Sequence, residues 1–251
     1  MLSLSEIEKA AAIVHGAMLP TPQHVWPLLA ARTGCEIWVK HENHTPIGAF
    51  KVRGGLVYLE RLKQRAPDTK GVISATRGNH GQSIALAARR AGIAATIVVP
   101  HGNSREKNAA MRAFGSELVE AGHDFDAAKD AAMRLAGERG LTMVPSFHHD
   151  LVAGVASYAL ELMRAAPPLD TIYVPIGLGS GICGCTSPVG CWQNWRRHAD
   201  HGGHWRLRRA ARHFGCRSHW RRHADEFRRW PWLGQQHLGR KQTCQHGAGC
   251  G

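Results

Sequence analysis

Short runs of β-branched and apolar residues alternate with Ala-rich helical stretches along the first two thirds of the chain, and this alternation restricts the fold more than any other feature. Strands are expected at Glu36–Lys40, Val72–Ser74, Ala95–Val99, Glu117–Val119, Leu141–Val144 and Thr171–Val174. Helices are expected between them, over Phe50–Lys63, Gln82–Arg90, Glu106–Phe114, Phe125–Arg139 and Ala153–Arg164. Ser5 followed by Glu8 reads as a capping box that opens a further helix through Ala10 to Val14. Repeated strand–helix units predict an α/β fold whose parallel strands are covered by helices on both faces. That architecture hosts many chemistries, so periodicity alone does not give a function.

The alternation stops near Gly184, and composition shows why. Of the 32 Lys and Arg in the 251 residues, 13 lie from Cys185 onward, against 3 of the 19 Asp and Glu. The net charge of +13 is therefore mostly a property of the tail. The tail also holds 6 of the 8 Trp and 5 of the 7 Cys, with no Ile, Met or Tyr and only Val189 for valine. Too few branched aliphatics remain there to complete a buried sheet. Three readings compete. Paired arginines with interleaved Trp, such as Arg196-Arg197 and Arg228-Arg229, fit a polyanion-binding extension. A Cys/His metal site lacks the paired ligand spacing it needs. The favoured reading is a shifted reading frame. Back-translating residues 196–203 as CGT CGA CAC GCC GAT CAC GGC GGT and dropping one base gives Val-Asp-Thr-Pro-Ile-Thr-Ala, a strand-like approach. On that reading residues 185–251 are disordered or out of frame, and nucleic acid is not expected as a partner.

Three motifs carry chemistry. In His44-Thr-Pro-Ile-Gly-Ala-Phe-Lys51-Val-Arg-Gly-Gly55 a lysine stands at a loop-to-helix junction flanked by glycines. A lysine that forms a Schiff base needs a packed stem and a depressed pKa, and this position can supply both. A solvated lysine at a helix start is the commoner use of such a position. Thr76-Arg-Gly-Asn-His-Gly-Gln82 follows a strand and precedes a helix, at the end of a parallel strand where α/β folds bind ligands. A plain helix cap by Asn79 is the competing reading. Gly177-Leu178-Gly179-Ser180-Gly181 also follows an expected strand and opens an expected helix. Its glycines let backbone N–H groups approach a phosphate, although an ordinary βα turn looks the same.

In this order and spacing the three motifs resemble the fold-type II pyridoxal-phosphate family of serine/threonine dehydratases, serine racemases, threonine synthases and cysteine synthases, over about residues 1–184. The Lys-x-Arg-Gly and Gly-Asn-His pair leans toward the dehydratases. The resemblance implies two parallel-sheet domains of the tryptophan-synthase-β-like fold. Residues 1–56 and 146–184 would form the larger cofactor domain, incomplete at its C-terminus, and 57–145 a smaller inserted one. It implies pyridoxal 5′-phosphate as cofactor and Lys51 as catalytic and cofactor lysine, with Phe50 beside it. Asn79 is implied at the cofactor's 3′-oxygen, and Gly177, Leu178, Gly179, Ser180 and Gly181 at its phosphate. Thr76, Gly78 and His80 are implied around the substrate carboxylate, and no metal is implied. Ala49, Leu178 and Ser180 depart from the family's usual serine and glycines. The implied reaction is β-elimination of water from L-threonine or L-serine to give a 2-oxo acid and ammonia, impaired if the tail is aberrant. Racemisation or β-replacement is the alternative within the family, and a non-catalytic polyanion-binding protein the alternative outside it. The expected partners are a small amino-acid substrate and further copies of the chain. No apolar run is long enough to span a membrane and no secretory signal is visible, so a cytoplasmic location is expected. His148-His149-Asp150 reads as a helix start capped by Asp150, and Cys35 and Cys183 as buried thiols.

Overall fold

The computed structural model describes residues 2–167, 169 and 171–187. Its elements in chain order are α1 (Leu4–His15), β1 (Gln23–Val25), α2 (Pro27–Thr33), β2 (Trp38–Lys40), a 3-10 turn (Glu42–His44), α3 (Lys51–Arg65), β3 (Val72–Ala75), α4 (Asn79–Ala91), β4 (Ala95–Val99), α5 (Arg105–Ala113), β5 (Glu117–Glu120), α6 (Phe125–Arg139), β6 (Thr142–Met143) and α7 (His149–Ala165). Residues 180–187 are helical and are called α8.

Four strands pair in the order β5-β4-β3-β6, and every pair is parallel. β3 and β4 are central and buried at every residue, whereas both ends of the edge strand β5 are exposed. Alternation along the central strands feeds two cores. Val72, Ile97 and Val99 pack with Ile84, Ala88 and Met111 on one face. Ile73, Ala75 and Val98 pack with Ala128, Ala131 and Ala132 of α6 on the other. The parallel α/β class is therefore the observed one. The chain moves from β3 outward through β4 to β5, then returns through α6 to place β6 on the far side of β3. The strand order thus reverses beside β3, and the carboxyl end of β3 is where a crevice opens in such sheets.

α3 and α7 meet backbone to backbone. A Cβ on Gly54 would lie 2.8 Å from the Leu151 carbonyl oxygen, and one on Gly154 would run into the Arg53 carbonyl and lie 2.8 Å from Gly54 Cα. This close approach brings the start of α3 to the middle of α7, where Arg53 is wholly buried. Its guanidinium makes a two-pronged contact with Glu42, through Nε–Oε2 at 2.8 Å and Nη2–Oε1 at 2.9 Å. It makes a second with Glu161, through Nη1–Oε1 at 2.6 Å and Nη2–Oε2 at 3.0 Å, and also donates to Ser157. Lys40 adds an ion pair to Glu161 at 2.6 Å, and Thr21 donates its hydroxyl to Glu42 at 2.6 Å. Two cations thus neutralise two carboxylates, with His15 of α1 at the rim against Glu161 at 2.8 Å. Burial pushes the Glu161 carboxyl up, but the bonds and charge of Arg53, with Lys40 and His15, outweigh it and hold the group down to about 2.

The structure corrects several expectations. The capping box of α1 is Ser3 with Glu6, not Ser5 with Glu8: Glu6 accepts from the Ser3 N–H at 2.8 Å, and Ser3 Oγ accepts from the Glu6 N–H at 3.3 Å. His148, not Asp150, caps α7, and Asp150 instead pairs with Arg61 at 2.7 Å and Arg65 at 2.6 Å. Cys35 is exposed. The strand expected at Glu36–Lys40 stands as β2, but its antiparallel pairing with β1, and α2 after β1, were not announced by the apolar pattern. Residues 171–174 form no strand, and so no second parallel sheet stands among the described residues. Thr171 and Tyr173 are exposed there, and no neighbouring strand among the described residues is placed to pair with them. Residues 185–187, expected to be part of a disordered tail, instead continue α8, which buries Cys185 against Val155, Tyr158 and Ala159. The readings of the tail beyond residue 187 concern residues outside those described.

Replacing Arg53 with Met removes the cation bound to Glu42 and leaves Glu161 with Lys40 and His15. The expected loss is about 3–5 kcal/mol of unfolding free energy, read as a lower urea midpoint with an unchanged slope.

Candidate active site

Lys51 is the first residue of α3, two positions before the anchored Arg53. Lys51 is half-buried, and its amine donates to Ser180 Oγ at 2.8 Å. The amine also lies 5.6 Å from the centroid of the Phe50 ring. Phe50 in turn packs on Tyr158 of α7, with centroids 5.8 Å apart. Burial pulls the Lys51 amine down to about 8, within reach of the free base near neutral pH. Its partial burial and the bond to Ser180 fit the packed reading of this position better than the solvated one.

The Gly177–Gly181 segment stands opposite Lys51. Gly179 has φ 102, a conformation open to glycine and costly for other residues, and its carbonyl accepts from the Cys183 N–H at 3.0 Å as α8 begins. A Cβ on Gly181 would lie 3.2 Å from Phe50 Cζ, so a side chain there would press on the lysine's neighbour. The first N–H groups of α8 have no helical acceptor and carry the positive end of the helix dipole, which suits an anion. Gly177 is exposed, Leu178 half-buried and Ser180 buried.

The Thr76–Gln82 segment leaves β3 at the point where the strand order reverses. Thr76 Oγ1 is buried and accepts from the N–H groups of Gly78 at 3.0 Å and Gly81 at 3.2 Å, so it shapes the loop. Gly78, not Asn79, occupies the cap position of α4, and Asn79 is exposed in the first turn. Ser83 donates to the Lys51 carbonyl at 2.6 Å, which ties α4 to the start of α3. His80 Nε2 lies 3.1 Å from Ser74 Oγ, and Ser74 Oγ lies 2.9 Å from the Val144 carbonyl. A carbonyl can only accept, so the Ser74 proton points to Val144, and Ser74 must accept from His80 Nε2–H. His80 therefore carries a proton at Nε2. Burial, with the nearby Lys51 charge, pushes its imidazolium down to about 3.

Lys51 thus contacts Ser180 and Phe50 directly, and His80 lies close enough to Lys51 to feel its charge. Sequence reasoning missed Ser74, Ser83 and the partners of Arg53. Ser74 sat unremarked in an apolar strand, and only its place opposite the residue after β6 gives it a role.

A lysine at one helix start thus meets a glycine loop at the start of another. Residues 14–190 match the pyridoxal-phosphate dependent enzyme family, and the chain belongs to that family. It is 36% identical over 182 residues to a biosynthetic L-threonine dehydratase of Haemophilus influenzae, covering 71% of this chain and 35% of that protein. It is 36% identical over 183 residues to an L-threo-3-hydroxyaspartate ammonia-lyase of Pseudomonas sp, covering 72% of this chain and 57% of that protein. The processed form of threonine deaminase isoform 2 from Solanum lycopersicum superposes with a TM-score of 0.66 at 29% identity, covering 74% of this chain and 53% of that one. The chain therefore spans about a third of the first relative and somewhat over half of the second.

An amine-directed reagent applied over a pH series, with Lys51 followed by peptide mass spectrometry, should show labelling that rises with a midpoint near about 8. Exposed lysines should follow a midpoint of ~10.4. A Lys51 midpoint equal to theirs would contradict the buried site.

Proposed function

We propose that this chain carries the catalytic lysine and cofactor cradle of an ammonia-lyase acting on 3-hydroxy amino acids, with L-threonine or L-serine as substrate. The observation that carries the reading is the contact of Lys51, whose amine is held down to about 8, with the glycine loop at Ser180. The relatives support it, since they are named for threonine and for 3-hydroxyaspartate and both of those substrates carry a hydroxyl at Cβ.

The residues present fit pyridoxal phosphate. The first N–H groups of α8, the loop Gly177–Gly181 and Ser180 would hold its phosphate, Asn79 its ring oxygen, and Lys51 its aldehyde carbon. Phe50 would pack beside it. When bound, the cofactor supplies an electron sink that stabilises negative charge at the substrate Cα. The chain's own residues do the rest. Lys51 as free base takes the proton from Cα. Neutral His80 adds no positive charge, and with Thr76 and Gly78 it lines the place of the substrate carboxylate. The Phe50–Tyr158 pair and α8 exclude water from one side of the amine. Residues 57–145, which contain the whole four-stranded sheet, would form a smaller domain facing the remainder across the cofactor.

Incubating the purified chain with pyridoxal phosphate and L-threonine should produce 2-oxobutanoate and ammonia in equal amounts. K51A should lower the rate at least about 10³-fold, as loss of the acid–base group requires. Formation of D-threonine or D-serine with no 2-oxo acid would favour racemisation instead.

A further inference from the structure

The Lys51 amine makes one hydrogen bond among the described residues, and its partner lies 129 positions away on the glycine loop: Ser180 Oγ, at 2.8 Å. Ser180 is 2% exposed and is the first residue of α8, so its side chain has little freedom. The reading above gives this loop to the cofactor phosphate, which asks nothing of the loop toward the lysine. A glycine at position 180 would supply the same backbone N–H for an anion and would leave the amine without this partner.

We propose that Ser180 is a positioning residue for Lys51: its hydroxyl holds the buried amine against the first turn of α8, so that an aldehyde arriving at the loop meets the nitrogen already in place. Three physical facts support this. A lysine stem has four rotatable bonds, and a buried amine left without a partner pays the desolvation penalty of an unsatisfied polar group. A hydroxyl accepts from an ammonium and donates to a neutral amine, so the contact survives loss of the amine's proton. On one side of Ser180, Gly179 takes a positive-φ conformation and its carbonyl accepts from the Cys183 N–H; on the other, Gly181 leaves no room for a side chain beside Phe50.

This deepens the proposed function and rests on it, and two aldehydes separate the two roles Ser180 could have. In capture of either aldehyde, the free amine adds to the aldehyde carbon. A C=N bond replaces C=O, and the two amine protons leave with the aldehyde oxygen as water. Pyridoxal phosphate presents both the aldehyde and the phosphate, whereas pyridoxal presents the aldehyde alone. The rate at which the absorbance band at ~410–420 nm forms is measured with each, on wild type, S180A and S180T, with thermal unfolding recorded for all three. Positioning predicts that S180A slows capture of both aldehydes by about 3- to 10-fold, the size of one lost hydrogen bond, and that S180T, which keeps a hydroxyl, captures both faster than S180A. Slowing confined to pyridoxal phosphate would mean that Ser180 serves the phosphate only and would overturn the proposal. Equal rates in wild type and S180A would overturn it also. Wild type capturing neither aldehyde would overturn the cofactor reading and this inference together.

Discussion

The buried charge cluster around Arg53 sets the geometry on which the site depends. A guanidinium with two carboxylates and a lysine in a largely dry interior is tolerable only if every donor and acceptor is matched, because desolvation of each ion costs several kcal/mol. Here Arg53 reaches both carboxylates two-pronged, which its planar fork allows and a lysine would not. The cluster gathers α1 through His15, β2 through Lys40, the 3-10 turn through Glu42 and α7 through Ser157 and Glu161. It therefore fixes the first turn of α3 in depth and rotation. Lys51, two residues earlier, has little choice of where its amine falls. The close packing of Gly54 and Gly154 is what lets the guanidinium reach α7 at all.

The parallel sheet supplies the second half of the site. The reversal of strand order beside β3 opens the loop after it, and a hydrogen-bond path from His80 through Ser74 to the Val144 carbonyl crosses that switch point. The path fixes a tautomer. Burial, with the nearby Lys51 charge, is what keeps the imidazole neutral. A charged histidine there would repel the ammonium and favour its free base too, but it would carry an unpaired cation into a buried loop. Neutral His80 avoids that cost while leaving Lys51 to titrate where burial places it, at about 8.

Much of this was legible in the sequence, and the reasons for the rest are physical. The four-stranded sheet and its covering helices followed from residues such as Ala95–Val99, whose burial on both faces gives an apolar run interrupted only by Thr96. Lys51 was legible because its flanking residues form a local motif. The partners of Arg53 were not, since Glu42, Thr21 and Glu161 lie 11, 32 and 108 positions away. Asp150 read as a cap because a cap is local, whereas its use by Arg61 and Arg65 depends on the packing of α3 against α7. The capping box of α1 slid by two residues because Ser3-x-x-Glu6 and Ser5-x-x-Glu8 satisfy the same pattern and only the first meets the chain's entry angle. The run Thr171–Val174 has strand-forming residues, but strand pairing needs a neighbour as well as propensity.

The central claim is that this packing delivers one particular amine to the glycine loop. Borohydride reduction of the chain after incubation with pyridoxal phosphate, followed by digestion and mass spectrometry, tests it most directly, because reduction makes the cofactor's attachment permanent wherever it formed. The account predicts a single dominant pyridoxyl-modified peptide, with the modification on Lys51. Modification spread over exposed lysines such as Lys107, or concentrated on another residue, would contradict it.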